Sequence, residues 1–191
     1  MSAVDCEAGQ DGWGVFDGLP GDPMMWVLIG SELVAFGLLL GAFAVTRAVN
    51  PALFASGQAA LDAPLAGLNT IVLVTSGWAA ARGTAAARAA RPGLSRRFLW
   101  LAMALGAAFI AIKLTEYRSE IAGGAVLESS PFFTLYFLLT GFHLLHVALG
   151  IIILAVVCRH AQPIHVETAT AFWHMVDLIW IVMFPMLYLV R

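Results

Sequence analysis

Five long apolar segments constrain this chain more than any other feature. They run from about Met24 to Thr46, Pro64 to Ala81, Arg97 to Ile121, Pro131 to Cys158 and Thr168 to Val190. Each is near the length of about 20 residues that a helix needs to cross a bilayer. The apolar residues are continuous instead of alternating, which excludes barrel strands. Helices satisfy their own backbone hydrogen bonds, as hydrocarbon demands. The prediction is an all-α, polytopic membrane protein with five transmembrane helices in one bundle (24–46, 64–81, 97–121, 131–158 and 168–190). The domain reading is a tail over 1–22 and one five-helix unit over 23–191.

Composition agrees. Hydrophobic residues make up 61% of the 191 and charged residues 12%, against about 45–50% and 25% in soluble domains. Too few polar groups remain to cover a water-facing surface. A soluble enzyme, a disordered chain and a nucleic-acid binder are excluded, the last because ten basic residues face twelve acidic ones. Cys6 and Cys158 are too far apart for metal-type spacing, and no disulfide framework is expected. Met1 to Gln10 has no basic stretch followed by an apolar run, so no cleaved signal peptide is expected.

The second connection holds Arg82, Arg88, Arg91, Arg96 and Arg97, half of the basic residues. The positive-inside rule places it in the cytoplasm. Counting crossings puts the N-terminal tail on the same side and the C-terminus in the periplasm of a bacterial inner membrane. Asp22 and Pro23 mark the first helix start, as do Ser130 and Pro131 for the fourth. Pro185 is expected to kink the last turns. Gly and Ala in the second to fourth spans permit close packing.

Ionisable side chains inside spans cost roughly 2.5–3.5 kcal/mol each at a helix centre and need an account. Glu32 lies about 12 Å into the first span with no ionic partner on its own helix. It is either a proton-active carboxyl or a neutral structural acid hydrogen-bonded across helices. Lys113 and Glu116, at i,i+3, read as an interfacial ion pair whose long side chains snorkel. His143 and His146 allow three readings: hydrogen bonds to neighbouring helices, a proton relay, or haem ligation, the last with His174 as the only partner within a span. His174 and Asp177 are also at i,i+3, and Glu167 lies two turns before His174. This line reads either as a relay or as a pin holding the fifth span against the fourth through His143 or His146. Arg159, His160 and His165 suit anionic lipid head groups, or simply mark the cytoplasmic side.

Several motifs together resemble one family, haem–copper oxidase subunit III, the third subunit of cytochrome c oxidase and its relatives. They are Ser31-Glu32-Leu33 with Phe36-Gly37, then Leu68-Asn69-Thr70 with Ser76-Gly77, then Glu116-Tyr117. Thr140-Gly141-Phe142-His143-Leu144-Leu145-His146-Val147 with Gly150 follows. Glu167 with Trp173-His174-Met175-Val176-Asp177-Leu178-Ile179-Trp180 closes the series.

The resemblance implies a subunit that is no enzyme alone and binds no haem, copper or other metal. It would pack against the catalytic subunit I of an oxidoreductase complex, which holds haem and copper, reduces oxygen and pumps protons. Subunit III in this family is held to help maintain activity and proton uptake, to bind phospholipid and to guide oxygen. Glu32 falls at the family's carbodiimide-reactive glutamate. Long members have seven helices; this chain has five, without the first two, which form one arm of the lipid-holding cleft. Five-helix members include accessory subunits of nitric oxide reductase, whose catalytic partner holds haem and non-haem iron, and Leu19-Pro20-Gly21-Asp22-Pro23 with Trp26 is similar to that group. Two readings of another class are a stand-alone haem-binding membrane cytochrome and a proton-coupled transporter using Glu32, Glu116 and Asp177.

Overall fold

A computed structural model describes residues 23–127, 129–160 and 162–190. The tail over 1–22, with the Asp22 cap, and the side chain of His160 lie outside the described residues. All elements are helical: α1 Pro23–Val49, α2 Pro51–Ala59, α3 Ala63–Arg88, α4 Pro92–Ala122, α5 Pro131–His160 and α6 Pro163–Phe184, followed by a π-helical turn, Pro185–Leu189. Five of them, all but α2, are long and apolar enough to span a membrane. The protein is a multi-pass membrane protein.

Proline punctuates the chain. Each helix has a proline as its first or second residue. Proline suits that place because the first turn's N–H groups have no intrahelical partner and its φ is already helical. Asp62 caps α3 by accepting from the Leu65 N–H at 2.9 Å. Ser130 caps α5 by accepting from the Phe133 N–H at 3.3 Å. Gly124, at φ +90°, lets the chain leave α4 in the left-handed region, and the Ala125 N–H then reaches back to the Glu120 carbonyl.

Three features differ from the sequence reading. The arginine-rich connection is mostly helix: α3 continues through Arg88 and α4 begins at Pro92. Its alanine-rich sequence favours helix, and only 89–91 turn. The connection after α1 contains the short helix α2, which buries Phe54, Gly57 and Gln58. Pro185 replaces a simple kink with a π turn, in which the Val190 N–H bonds the Pro185 carbonyl at 2.9 Å.

The core forms where α3, α4, α5 and α6 meet, and α6 is the most buried span. Small residues set the closeness. Trp173 of α6 is fully buried and lies over Gly106 of α4 and Gly150 of α5. A Cβ on those glycines would stand 2.6 and 2.7 Å from its ring. Polar side chains stitch the same interfaces. Trp173 Nε1 donates to Ser76 Oγ at 3.2 Å, and Ser76 Oγ donates to the Ala102 carbonyl at 2.8 Å. Trp180 Nε1 donates to Thr70 Oγ1 at 2.9 Å, and Asn69 Nδ2 to the Phe109 carbonyl at 3.2 Å. In lipid, where the tails are as apolar as leucine, such packing and hydrogen bonds hold helices together.

Gly150→Val is expected to destabilise the bundle by about 1–3 kcal/mol, the usual cost of overpacking a filled core. Gly37→Val, whose Cβ would meet nothing within 4 Å, is the control and leaves stability unchanged. Thermal unfolding in detergent measures both; equal midpoints contradict the packing described.

Candidate functional site: polar clusters inside the bundle

Apart from His143, the intramembrane ionisable groups singled out in the sequence fall into three separate clusters. The first joins α1 and α5. His146 Nδ1 lies 2.8 Å from the Phe142 carbonyl, one turn back on its own helix. A carbonyl has no proton, so this nitrogen is the donor. His146 Nε2 lies 2.9 Å from Glu32 Oε2. One proton is then shared across that contact: an imidazolium faces a carboxylate, or a neutral ring accepts from a protonated acid. The Glu32 side chain remains 21% exposed, against 10% for His146. It can therefore be reached from the outer face of α1, and its partner is a proton carrier.

The second cluster lies between α4, α5 and the π turn. Lys113 is completely buried and Glu116 nearly so. Lys113 Nζ donates to Glu116 Oε2 at 3.0 Å, to Tyr136 Oη at 2.8 Å and to Tyr188 Oη at 2.5 Å. Tyr188 donates to Glu116 Oε1 at 2.6 Å, and Tyr136 to Glu120 Oε1 at 2.7 Å. The ammonium also faces the rings of Tyr136 and Trp180, at 4.8 and 5.5 Å from their centroids. The snorkelling reading is overturned: this pair is core, because two tyrosines from distant chain positions enclose it. Tyr117 hydrogen-bonds Thr140 alongside at 2.5 Å.

The third cluster lies between α3 and α6. Asp177 lies over Gly77; a Cβ there would overlap Asp177 Oδ2. His174 Nδ1 is 3.8 Å from that oxygen, a charge contact too long for a hydrogen bond. Glu167 accepts from Arg88 Nε at 2.7 Å, and Thr84 bonds Thr170 at 2.8 Å. A cavity of about 550 Å³ is lined by Trp26, Arg88, Glu167 and His174 among others. The Glu167–His174–Asp177 face thus meets α3. The pin to α5 through His143 or His146 is not what this face makes, since Gly77 is the residue small enough to receive the carboxylate.

His143 belongs to no hydrogen-bonded cluster: both ring nitrogens are buried without a partner among the described residues. Its ring stacks on Trp180 at 5.1 Å and meets Phe109 at 5.8 Å and Phe36 at 6.3 Å. Among the described residues no three His, Cys, Asp or Glu side chains gather as a metal site. At the end of the bundle that carries Arg88, Arg96 Nη2 donates to the Arg159 carbonyl at 3.0 Å. Arg159 and His165 are exposed. Cys158 is free and buried.

Gln58, Tyr136 and Tyr188 took no place in the reading of the sequence. Gln58 Nε2 donates to the carbonyls of Met186, Leu187 and Val190 at 3.0–3.2 Å and ties α2 to the π turn. A polar residue in a short apolar connection was the available signal for Gln58. For the tyrosines there was none, because their partners lie 23 and 75 residues away.

The arrangement defines a helical membrane subunit with polar clusters buried between its spans. Comparison with known proteins narrows the class. The model of the cytochrome c oxidase subunit III family matches residues 21–190. Cytochrome c oxidase subunit 3 of Synechocystis sp. is 34% identical over 171 residues, covering 85% of this chain and 72% of the relative. The protein of that name from Thermostichus vulcanus is 32% identical over 173 residues, covering 85% and 84%. That from Corynebacterium diphtheriae is 29% identical over 175 residues, covering 86% and 85%. The chain belongs to the cytochrome c oxidase subunit III family. It is a subunit III of a haem–copper oxidase and part of an oxidoreductase complex with other oxidase subunits. The relatives do not support the nitric oxide reductase, cytochrome or transporter readings.

Breaking the Lys113–Glu116 pair from one side strands a buried charge. Lys113→Met is expected to cost about 3–5 kcal/mol, and Lys113→Met with Glu116→Leu to recover more than half of it. Unfolding in mixed micelles measures the cycle; additive losses would contradict the pairing.

Proposed function

We propose that this chain is a non-catalytic subunit that packs against subunit I of the oxidase and supports its reduction of oxygen and its proton uptake. Haem and copper then reside in the partner. The observation that supports this reading is the match to the subunit III family over residues 21–190, beside an interior in which Lys113 bonds Glu116 and two tyrosines and Glu32 bonds His146.

Topology completes the proposal. The end carrying Arg82, Arg88, Arg91, Arg96 and Arg97 faces the cytoplasm of a bacterial inner membrane. The tail over 1–22 lies on that side, and the five-helix unit over 23–191 ends in the periplasm. Arg159, His160 and His165 then sit where anionic head groups lie, and bound phospholipid is expected there. Glu32, with His146 behind it, is the functional carboxyl: it is the intramembrane acid that combines partial exposure with a proton-carrying partner. Glu116, His143, Glu167, His174 and Asp177 serve the fold.

Affinity purification from its native membrane tests the assignment. Haem and copper in fixed ratio to this chain are expected in the eluate. Recovery of the chain alone, or with haem and non-haem iron but no copper, overturns it. In the same preparation Glu32→Gln is expected to leave the yield of complex unchanged and to alter proton uptake modestly; failure to assemble would make Glu32 structural.

A further inference from the structure

The α4–α5 cluster contains one more carboxyl than its bonds require. Lys113 has three N–H donors, and they meet three acceptors: Glu116 Oε2, Tyr136 Oη and Tyr188 Oη. Each tyrosine has one proton. Tyr188 gives its own to Glu116 Oε1, and Tyr136 to Glu120 Oε1. Five protons make five bonds, and every oxygen of Glu116 is used. Lysine and Glu116 balance in charge. Glu120 is left over. Its residue is 8% exposed, and its Oε2 is buried with no partner among the described residues. An ionised carboxylate there gives the cluster a net negative charge and an unsatisfied oxygen, both costly in a low-dielectric setting.

A cavity of about 640 Å³ adjoins this acid at the end of the bundle opposite Arg88. Glu116, Glu120, Asp62, Ser119, Ser129 and Ser130 are among its walls. It is wide enough for several waters and polar enough to hold them. The cavity is open to the surface, whereas Lys113 and the two tyrosine hydroxyls lie behind Glu120.

We infer that Glu120 is a proton-exchange site, taking up and releasing a proton through this cavity, with Lys113, Glu116, Tyr136 and Tyr188 as the fixed hydrogen-bond network that holds it. The inference does not rest on the oxidase assignment. The groups facing Glu120 are Lys113, Glu116 and Tyr117 of its own helix, Tyr136 of α5, Tyr188 of the π turn, and Asp62 across the cavity. The step is a plain equilibrium: a solvent proton binds Oε2, the carboxylate becomes a carboxylic acid, and the cluster passes from net negative to neutral. Because the Tyr136 hydroxyl that donates to Glu120 lies within 3.2 Å of Glu116 Oε1 and Tyr188 Oη, the change reaches the C-terminal turn directly.

Infrared difference spectroscopy of the intact complex, stepped between pH 5 and 9 in water and in deuterium oxide, tests this. The expected result is a protonated-carboxyl band that grows as pH falls, shifts in deuterium oxide within seconds, and is lost in Glu120→Gln. A spectrum whose titrating bands all survive in Glu120→Gln overturns it. Should that variant fail to assemble, the unmutated complex carrying glutamate labelled with carbon-13 at the carboxyl decides. A carboxyl resonance that couples to the Tyr136 ring and moves with pH supports the site; the same resonance static from pH 5 to 9 overturns it.

Discussion

The cost of placing charge where neither water nor lipid can solvate it governs this molecule. Lys113 meets that cost in full: it has no exposure at all, and it is tolerated because all three of its protons are bonded and aromatic rings surround it. Two elements of the bundle owe their position to that demand. Tyr136 must face inward on α5, and the chain must return past Pro185 far enough to present Tyr188. The π turn that follows Pro185, fastened by Gln58 from α2, delivers that last hydroxyl. A buried lysine thereby specifies how the C-terminal segment closes on the bundle.

The same rule explains why the other polar groups pair as they do. Asp177 is accommodated by the missing side chain at Gly77, and Glu32 by His146. Among the described histidines in the spans, His143 departs from this. It is buried with neither nitrogen bonded, and it is held as an aromatic ring on Trp180. In this chain His143 contributes a stacked ring, whereas His146, one turn further on, carries the hydrogen bonding. Two histidines at i,i+3 on one helix thus do different work, separated by the side chain each one meets: Trp180 for His143 and Glu32 for His146.

Span number and helical class were legible in the sequence because hydrocarbon thickness acts on every residue of a segment. Motif spacing carried the family resemblance well, since Glu167, His174 and Asp177 fall on one face of α6. Partnerships were not legible. The Lys113 pair read as interfacial because its depth along the helix says nothing about the tyrosines brought in from Tyr136 and Tyr188. Asp177 read as a partner for α5 because the small volume of Gly77, a hundred residues earlier, gives no sign in local pattern. Helix α2 escaped because nine residues are too short for a periodic signal, although Asn50-Pro51 marks its start.

Removing this chain from the oxidase tests the central claim most directly. Haem and copper content and the initial rate of oxygen reduction are then measured on the remaining subunits. A non-catalytic subunit predicts that the core retains its haem and copper and still reduces oxygen from the first turnover. Loss of haem or copper, or complete loss of oxygen reduction, in a core that remains folded would contradict it.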